Sequence, residues 1–222
     1  MFREFSKIYS LSNFVDALGL SVFRNRRVIE QYTQRDWNKL KQDFDTDIID
    51  VFGVSGAFPM YRRSALDEVA FDNGNFFDED YHSYKEDVDL AFRLQSAGYK
   101  SKIILDTVAY HDRSAAGPKD TGDMKAIKNK LEQSSWVKYH SYKNHVMTIY
   151  KNEYWQNLLL DFPFILWYEL KKFIWYLLAD TSVLKGLSEI WNLRSKMKNK
   201  RKQIKKKRAK DYKEVRKNWK NK

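Results

Sequence analysis

The 222-residue chain contains no cysteine, which excludes a disulfide framework and any thiolate metal site and fits a reducing compartment. No uninterrupted apolar run of about 20 residues occurs, so no helix is expected to span a bilayer. Met1-Phe2-Arg3-Glu4 leads into no apolar segment of a secretory signal. Two further features are missing: a glycine-rich phosphate loop, and an Asp-x-Asp triplet closing an apolar strand. Asp43-Phe44-Asp45 and Asp45-Thr46-Asp47 have the spacing, but in polar surroundings without strand pattern. What is present suffices for a core, since 43% hydrophobic and 16% aromatic content excludes wholesale disorder. The net charge of +12 is uneven. Residues 194–222 hold 16 of the 41 Lys and Arg and 2 of the 29 acids, so the body is nearly neutral and the basicity belongs to a tail.

Residues 1–48 read as loops and short strands. A β-type run at 48–54 is broken by Ser55-Gly56-Ala57 and resumes at 58–61. The small residues fit either a bulge or the close approach of a ligand or another backbone. Ser64 opens a short helix, and 71–81 is a loop whose Asp, Asn and Phe suit a site wall. Ser83 and Glu86 form a capping-box pattern, and Gly98 closes the helix that follows. On a helical wheel Val88, Leu90, Ala91, Phe92, Leu94 and Ala97 share one arc, and Glu86, Asp89, Arg93 and Ser96 the opposite one. Asp87 falls in the apolar arc. A first-turn acid is stabilised by the helix dipole, which accounts for Glu86. Asp87 is placed toward the body, where a carboxylate is costly unless it has partners, and such acids are often catalytic.

Two short strands are expected at 99–105 and 107–111. The second ends on His111, a satisfied strand-end residue or a metal ligand. Residues 124–150 are helical, and His140 and His145, five apart, share no face and read as structural or interfacial. The segment 154–191 is the most apolar. Trp155, Trp167, Tyr168, Trp175 and Tyr176 suit a membrane interface, with a helical pair packed on the body as the other reading. Beyond it Ile190, Leu193, Met197, Ile204, Tyr212, Val215 and Trp219 form a narrow apolar seam on a basic helix. That pattern fits an anionic membrane surface, with RNA binding or a coiled-coil arm as alternatives.

The order of Val54-Ser55-Gly56-Ala57, Tyr61-Arg62-Arg63-Ser64-Ala65-Leu66, Phe76-Phe77-Asp78-Glu79-Asp80-Tyr81, Tyr84-Lys85-Glu86-Asp87-Val88-Asp89-Leu90-Ala91-Phe92-Arg93-Leu94, Ala97-Gly98-Tyr99-Lys100 and Val108-Ala109-Tyr110-His111 resembles the C-terminal half of family-two, rhamnosyltransferase-like glycosyltransferases. Lys143-Asn144 stands where an Arg-Asn pair is usual, and the similarity covers roughly 50–190. The resemblance implies an α/β fold, a partial GT-A (nucleotide-diphospho-sugar transferase) fold followed by a helical, membrane-associating extension. Its expected divisions are an acceptor-side half at 1–123, a partly amphipathic helical extension at 124–193 and a basic amphipathic tail at 194–222. It implies inverting transfer from a nucleotide-sugar to an acceptor hydroxyl of a glycan or glycolipid, in cell-surface polysaccharide or glycolipid synthesis. Asp87 corresponds to the catalytic base and Glu86 to its helper, which orients Asp87 or the acceptor. Ser55, Gly56 and Ala57 line the donor–acceptor junction. His111 corresponds to a position that completes the shell of a divalent metal, Mg or Mn, in some relatives. The family's nucleotide-binding units and Asp-x-Asp lie before the matching region. Donor binding is therefore expected to be weak in this chain alone, and the donor half to sit elsewhere in a longer gene or in a separate chain. The expected location is peripheral, on the cytoplasmic face of a membrane reached through 154–222. A non-catalytic basic protein, binding membrane or RNA and built on a degenerate half, is the alternative.

Overall fold

A computed structural model of the chain describes residues 2–5, 11–111 and 133–221. Three small sheets carry the β structure. In the first, β1 (Phe2–Phe5) lies between β2 (Leu11–Ala17), antiparallel, and β7 (Ala109–His111), parallel. In the second, β3 (Leu20–Phe23) pairs antiparallel with β4 (Val28–Glu30) and parallel with β8 (Trp219–Lys220), two residues at the far end of the chain. The third joins β5 (Ile48–Val51) antiparallel to β6 (Ser101–Ile104). The expected return to β structure at 58–61 does not occur: this stretch is irregular, with Phe58 and Met60 exposed.

The helices are α1 (Trp37–Leu40), α2 (Arg63–Val69), α3 (Glu86–Ser96), α4 (Ser135–Asn152), α5 (Trp155–Leu160), α6 (Phe162–Ala179), α7 (Lys185–Asn192), α8 (Arg194–Lys206) and α9 (Tyr212–Arg216). Ser64 lies within the first turn of α2, and its capping role passes to no side chain. The helical reading of 124–132 lies outside the described residues. Helix α3 is the centre of the body. Its apolar arc is buried as expected, with Phe52 edge-on to Phe92 at 4.8 Å between ring centroids. Gly53 lets the chain cross that arc closely, since a Cβ there would come within 2.4 Å of the Ala91 methyl. Gly98, at φ +97°, ends the helix in a backbone shape that side-chain-bearing residues rarely adopt.

The arc expected to face water does not. Asp89 is fully buried, and Arg93 and Ser96 nearly so, because α4 covers that side. There Asp89 accepts from Arg93 Nε at 3.0 Å, from Asn152 Nδ2 at 2.7 Å and from Lys151 Nζ at 3.0 Å. Lys151 also pairs with Asp78, and Lys200 of α8 bridges Asp78 and Asp80. Burial works against the Asp89 charge, but Lys151 and then Arg93 hold its carboxyl down at about 2.

The basic segment is built into this body. Its helix is broken into α8 and α9, and its apolar seam turns inward. Met197 joins Tyr81 and Met147, while Val215 and Trp219 join the cluster around α3. The Arg26 guanidinium lies 3.8 Å from the Trp219 ring centroid, and Asp161, fully buried, takes Arg24, Arg26 and Arg216. The exposed amines of Lys198, Lys202, Lys205 and Lys206 remain on the outer side.

His145 ties α4 to α6 through a 2.7 Å hydrogen bond between Nε2 and Glu169 Oε1. Burial, with Lys172 beside it, lowers its pKa from 6.5 to about 4. Near neutral pH the imidazole is uncharged and donates Nε2–H to the carboxylate. The unfolded chain takes up this proton below pH 6.5 and the folded chain does not. Stability is therefore expected to fall as the pH drops from 6.5 to 4, by at most about 1.4 kcal/mol per pH unit. Urea unfolding at pH 7 and pH 5 checks this. His145→Gln should flatten the difference, and an unchanged slope in the variant would assign it to other groups.

Candidate active site

Between a 3-10 turn (Glu79–Tyr81) and α3 the chain makes a tight loop, with His82 at φ 61°, Tyr84 at 67° and Lys85 at 68°. Left-handed backbone is disfavoured for residues with a Cβ, so three in one loop need outside support. Asn144 of α4 supplies it. Its Nδ2 faces the carbonyls of Tyr81 at 3.0 Å and of Ser83 and Tyr84, each at 2.7 Å. The capping box expected from Ser83 is absent: Lys85 is the residue before the helix and no side chain caps it. Asp87 takes the first-turn Val88 N–H on Oδ1 at 2.7 Å instead.

The second oxygen of Asp87 accepts the Gly56 N–H at 3.0 Å, which fixes the carboxylate between the helix start and the 53–57 segment. A Cβ on Gly56 would rest 3.6 Å from the Asp87 Cβ, in ordinary contact. Asp87 is half-buried, at the rim rather than inside the body, because the segment covering its arc is this exposed turn. Tyr61 is close by, its hydroxyl pushed up to about 12 by burial and then by the Asp87 charge. Glu86 is raised by burial, and its Oε2 is buried without a hydrogen-bond partner among the described residues. Burial lowers Lys85, against the pull of Asp87 and Glu30.

Of the residues singled out in the sequence, the structure brings Gly56 to Asp87 directly. Ser55 turns away, its hydroxyl donating to Glu30 Oε1 at 3.1 Å, and Ala57 is exposed beside them. His111 Nδ1 lies 3.0 Å from Asp16 Oδ2, a buried carboxylate on β2. Among the described residues no three His, Asp or Glu side chains converge as a metal cage would require. A hard divalent ion takes six or more ligands, mostly oxygen, so His111 and Asp16 do not by themselves fit one. Asp16 and Asn144 were not legible as site residues. Asp16 is 95 residues from its partner, and Asn144 had as its only signal its place beside Lys143 in the family pattern.

A profile of the glycosyl transferase family group 2 matches residues 13–184, a span that contains the entire Asp87 site. The chain belongs to this family. No characterised protein and no solved structure matches it. Membership carries a role in glycosyl transfer, with a nucleotide-sugar as donor class and a glycan as acceptor class. It gives no support to the alternative of a non-catalytic basic membrane- or RNA-binding protein.

Proposed function

We propose that this chain supplies the acceptor side of an inverting glycosyl transfer, with Asp87 as the general base. The observation that carries this reading is the Asp87 carboxylate itself. It is held by two backbone N–H groups at the mouth of a helix, on a loop braced by Asn144, and is open to the surface. In the reaction an acceptor O–H gives its proton to Asp87 as the oxygen bonds to the anomeric carbon. The bond from that carbon to the diphosphate breaks on the opposite face, and the nucleoside diphosphate leaves. Glu86 orients Asp87 or the acceptor, and Gly56 and Ala57 form the wall toward the donor, with Ser55 anchoring that turn through Glu30. His111, with Asp16 beside it, would contribute only part of the shell of a Mg or Mn ion, and such an ion would supply positive charge to the leaving diphosphate. The test is nucleoside-diphosphate release from a panel of nucleotide-sugars, with a donor-binding half and glycan acceptors supplied. Product with the anomeric configuration opposite to the donor's is expected, and retained configuration would contradict the single-displacement scheme.

We further place the chain on a membrane surface, on its cytoplasmic face. Helix α6 supports this by being inside out. Glu169 and Lys172 turn inward to His145, while Phe164, Leu166, Trp167, Leu170, Phe173, Ile174, Leu177 and Leu178 face outward, Leu178 with 82% of its surface exposed. Among the described residues no helix is long and apolar enough to cross a membrane, so this face suits lying in the interface. The outer lysines of α8 favour anionic lipid, at about 1 kcal/mol for each one near the surface. Trp167→Asp with Leu178→Asp is expected to weaken sedimentation with anionic vesicles by about tenfold or more, since each buried side chain contributes roughly 1.5–3 kcal/mol. Equal binding by the double variant would remove α6 from the contact.

A further inference from the structure

A second surface lies beside Asp87 and is not used by the chemistry above. Trp136 stands at the start of α4, where Ser134 caps the helix and both Ser135 and Lys138 bond Asp180. Its mount is therefore rigid, yet 49% of its surface is exposed. Three rings surround its base: His140 at 4.6 Å between centroids, Tyr84 at 5.6 Å and His82 at 6.1 Å, with His82 and His140 5.3 Å apart. His82 and Tyr84 belong to the left-handed loop that delivers Asp87. Tyr84 lies three positions before Asp87, so their Cα atoms are at most about 11 Å apart. The Nδ1 of His140 is buried and has no hydrogen-bond partner among the described residues.

We infer that Trp136, with His82, Tyr84 and His140, forms a sugar-binding subsite that holds the acceptor glycan next to Asp87. The C–H face of a pyranose is apolar and its edge is a ring of hydroxyls. It matches an open indole bordered by groups that donate and accept hydrogen bonds, the mixture typical of ligand sites. A hydrocarbon would leave those polar groups without partners, and the protein already presents a more apolar face on α6. The two histidines differ: His82 is exposed and presents its ring at the surface, and His140, its pKa lowered by burial, packs against the indole. Tying the platform to the strained loop links occupancy of the subsite to the position of the base. The inference rests on the reading of Asp87 in naming the glycan as acceptor, but the binding site itself is tested separately.

The probes are maltotriose, cellotriose, triacetylchitotriose and a rhamnose trisaccharide, titrated into the full chain while the indole N–H resonances are followed by NMR. The Trp136 signal is assigned by its loss in Trp136→Phe. At least one trisaccharide is expected to shift it. Trp136→Ala should weaken that binding by about tenfold, Trp136→Phe should retain most of it, and thermal stability should hardly change because the ring is half exposed. Binding should persist in Asp87→Asn. Wild-type turnover in Asp87→Asn would overturn the base while leaving a Trp136 shift intact. No shift with any of the four sugars would overturn the subsite. So would binding unaffected by Trp136→Ala, or a Trp136 signal that answers only to lipid vesicles.

Discussion

Asp87→Asn is expected to lower turnover by on the order of a hundredfold or more while donor affinity stays nearly constant. The substitution keeps the shape and one of the two acceptors, so its amide oxygen can still take the Gly56 or the Val88 N–H but not both. What it removes is the ability to accept a proton from the attacking hydroxyl. The effect therefore belongs in kcat, and donor binding measured separately is the control. A variant with wild-type kcat would mean that another group takes the proton. Glu86, its neighbour with a buried and unpartnered oxygen, would then be the first to examine.

Lys151→Met is expected to cost about 3–5 kcal/mol in folding stability, the usual penalty for leaving a buried charge without its partner. Lys151 is the only amine within salt-bridge reach of both Asp78 and Asp89 among the described residues, and all three side chains are fully buried. Arg93 and Lys200 still serve one carboxylate each, which sets the loss near the lower end. Asp89→Asn should cost less, because its amide can still hydrogen-bond Lys151 and Asn152 donates to the same position. Denaturant unfolding of the two variants gives the order. A loss below about 1 kcal/mol in Lys151→Met would show that the network is replaceable.

How far the sequence could be read depended on whether one element or several decide a residue's surroundings. The apolar arc of α3 and its glycine stop follow from 3.6-residue periodicity and the backbone freedom of Gly98, both local. The periodicity rule assumes one covered face, and α3 has two. Asp89 and Arg93 therefore looked like solvent-side charges and are instead the centre of a buried ion network completed by Lys151, about sixty residues later. The same limit hides Asn144, whose three carbonyl partners exist only once α4 lies against the 82–85 loop. The tail shows the opposite case. Its seam of Met197, Ile204, Val215 and Trp219 was visible, but periodicity cannot say whether a seam meets a membrane or a protein, and here it meets the protein. The sequence of α6 is mostly apolar and interrupted by Glu169, Lys171 and Lys172. Which of its sides faced in depended on His145, whose demand for Glu169 turns the charged side toward the body.

The most direct measurement is the structure of the chain with an acceptor glycan bound. The account predicts an acceptor hydroxyl within about 2.6–3.2 Å of an Asp87 carboxylate oxygen, with the Gly56 N–H bond kept and a sugar ring lying on Trp136. A glycan whose reactive hydroxyl is seated on any other group, with Asp87 turned away from it, would contradict the account.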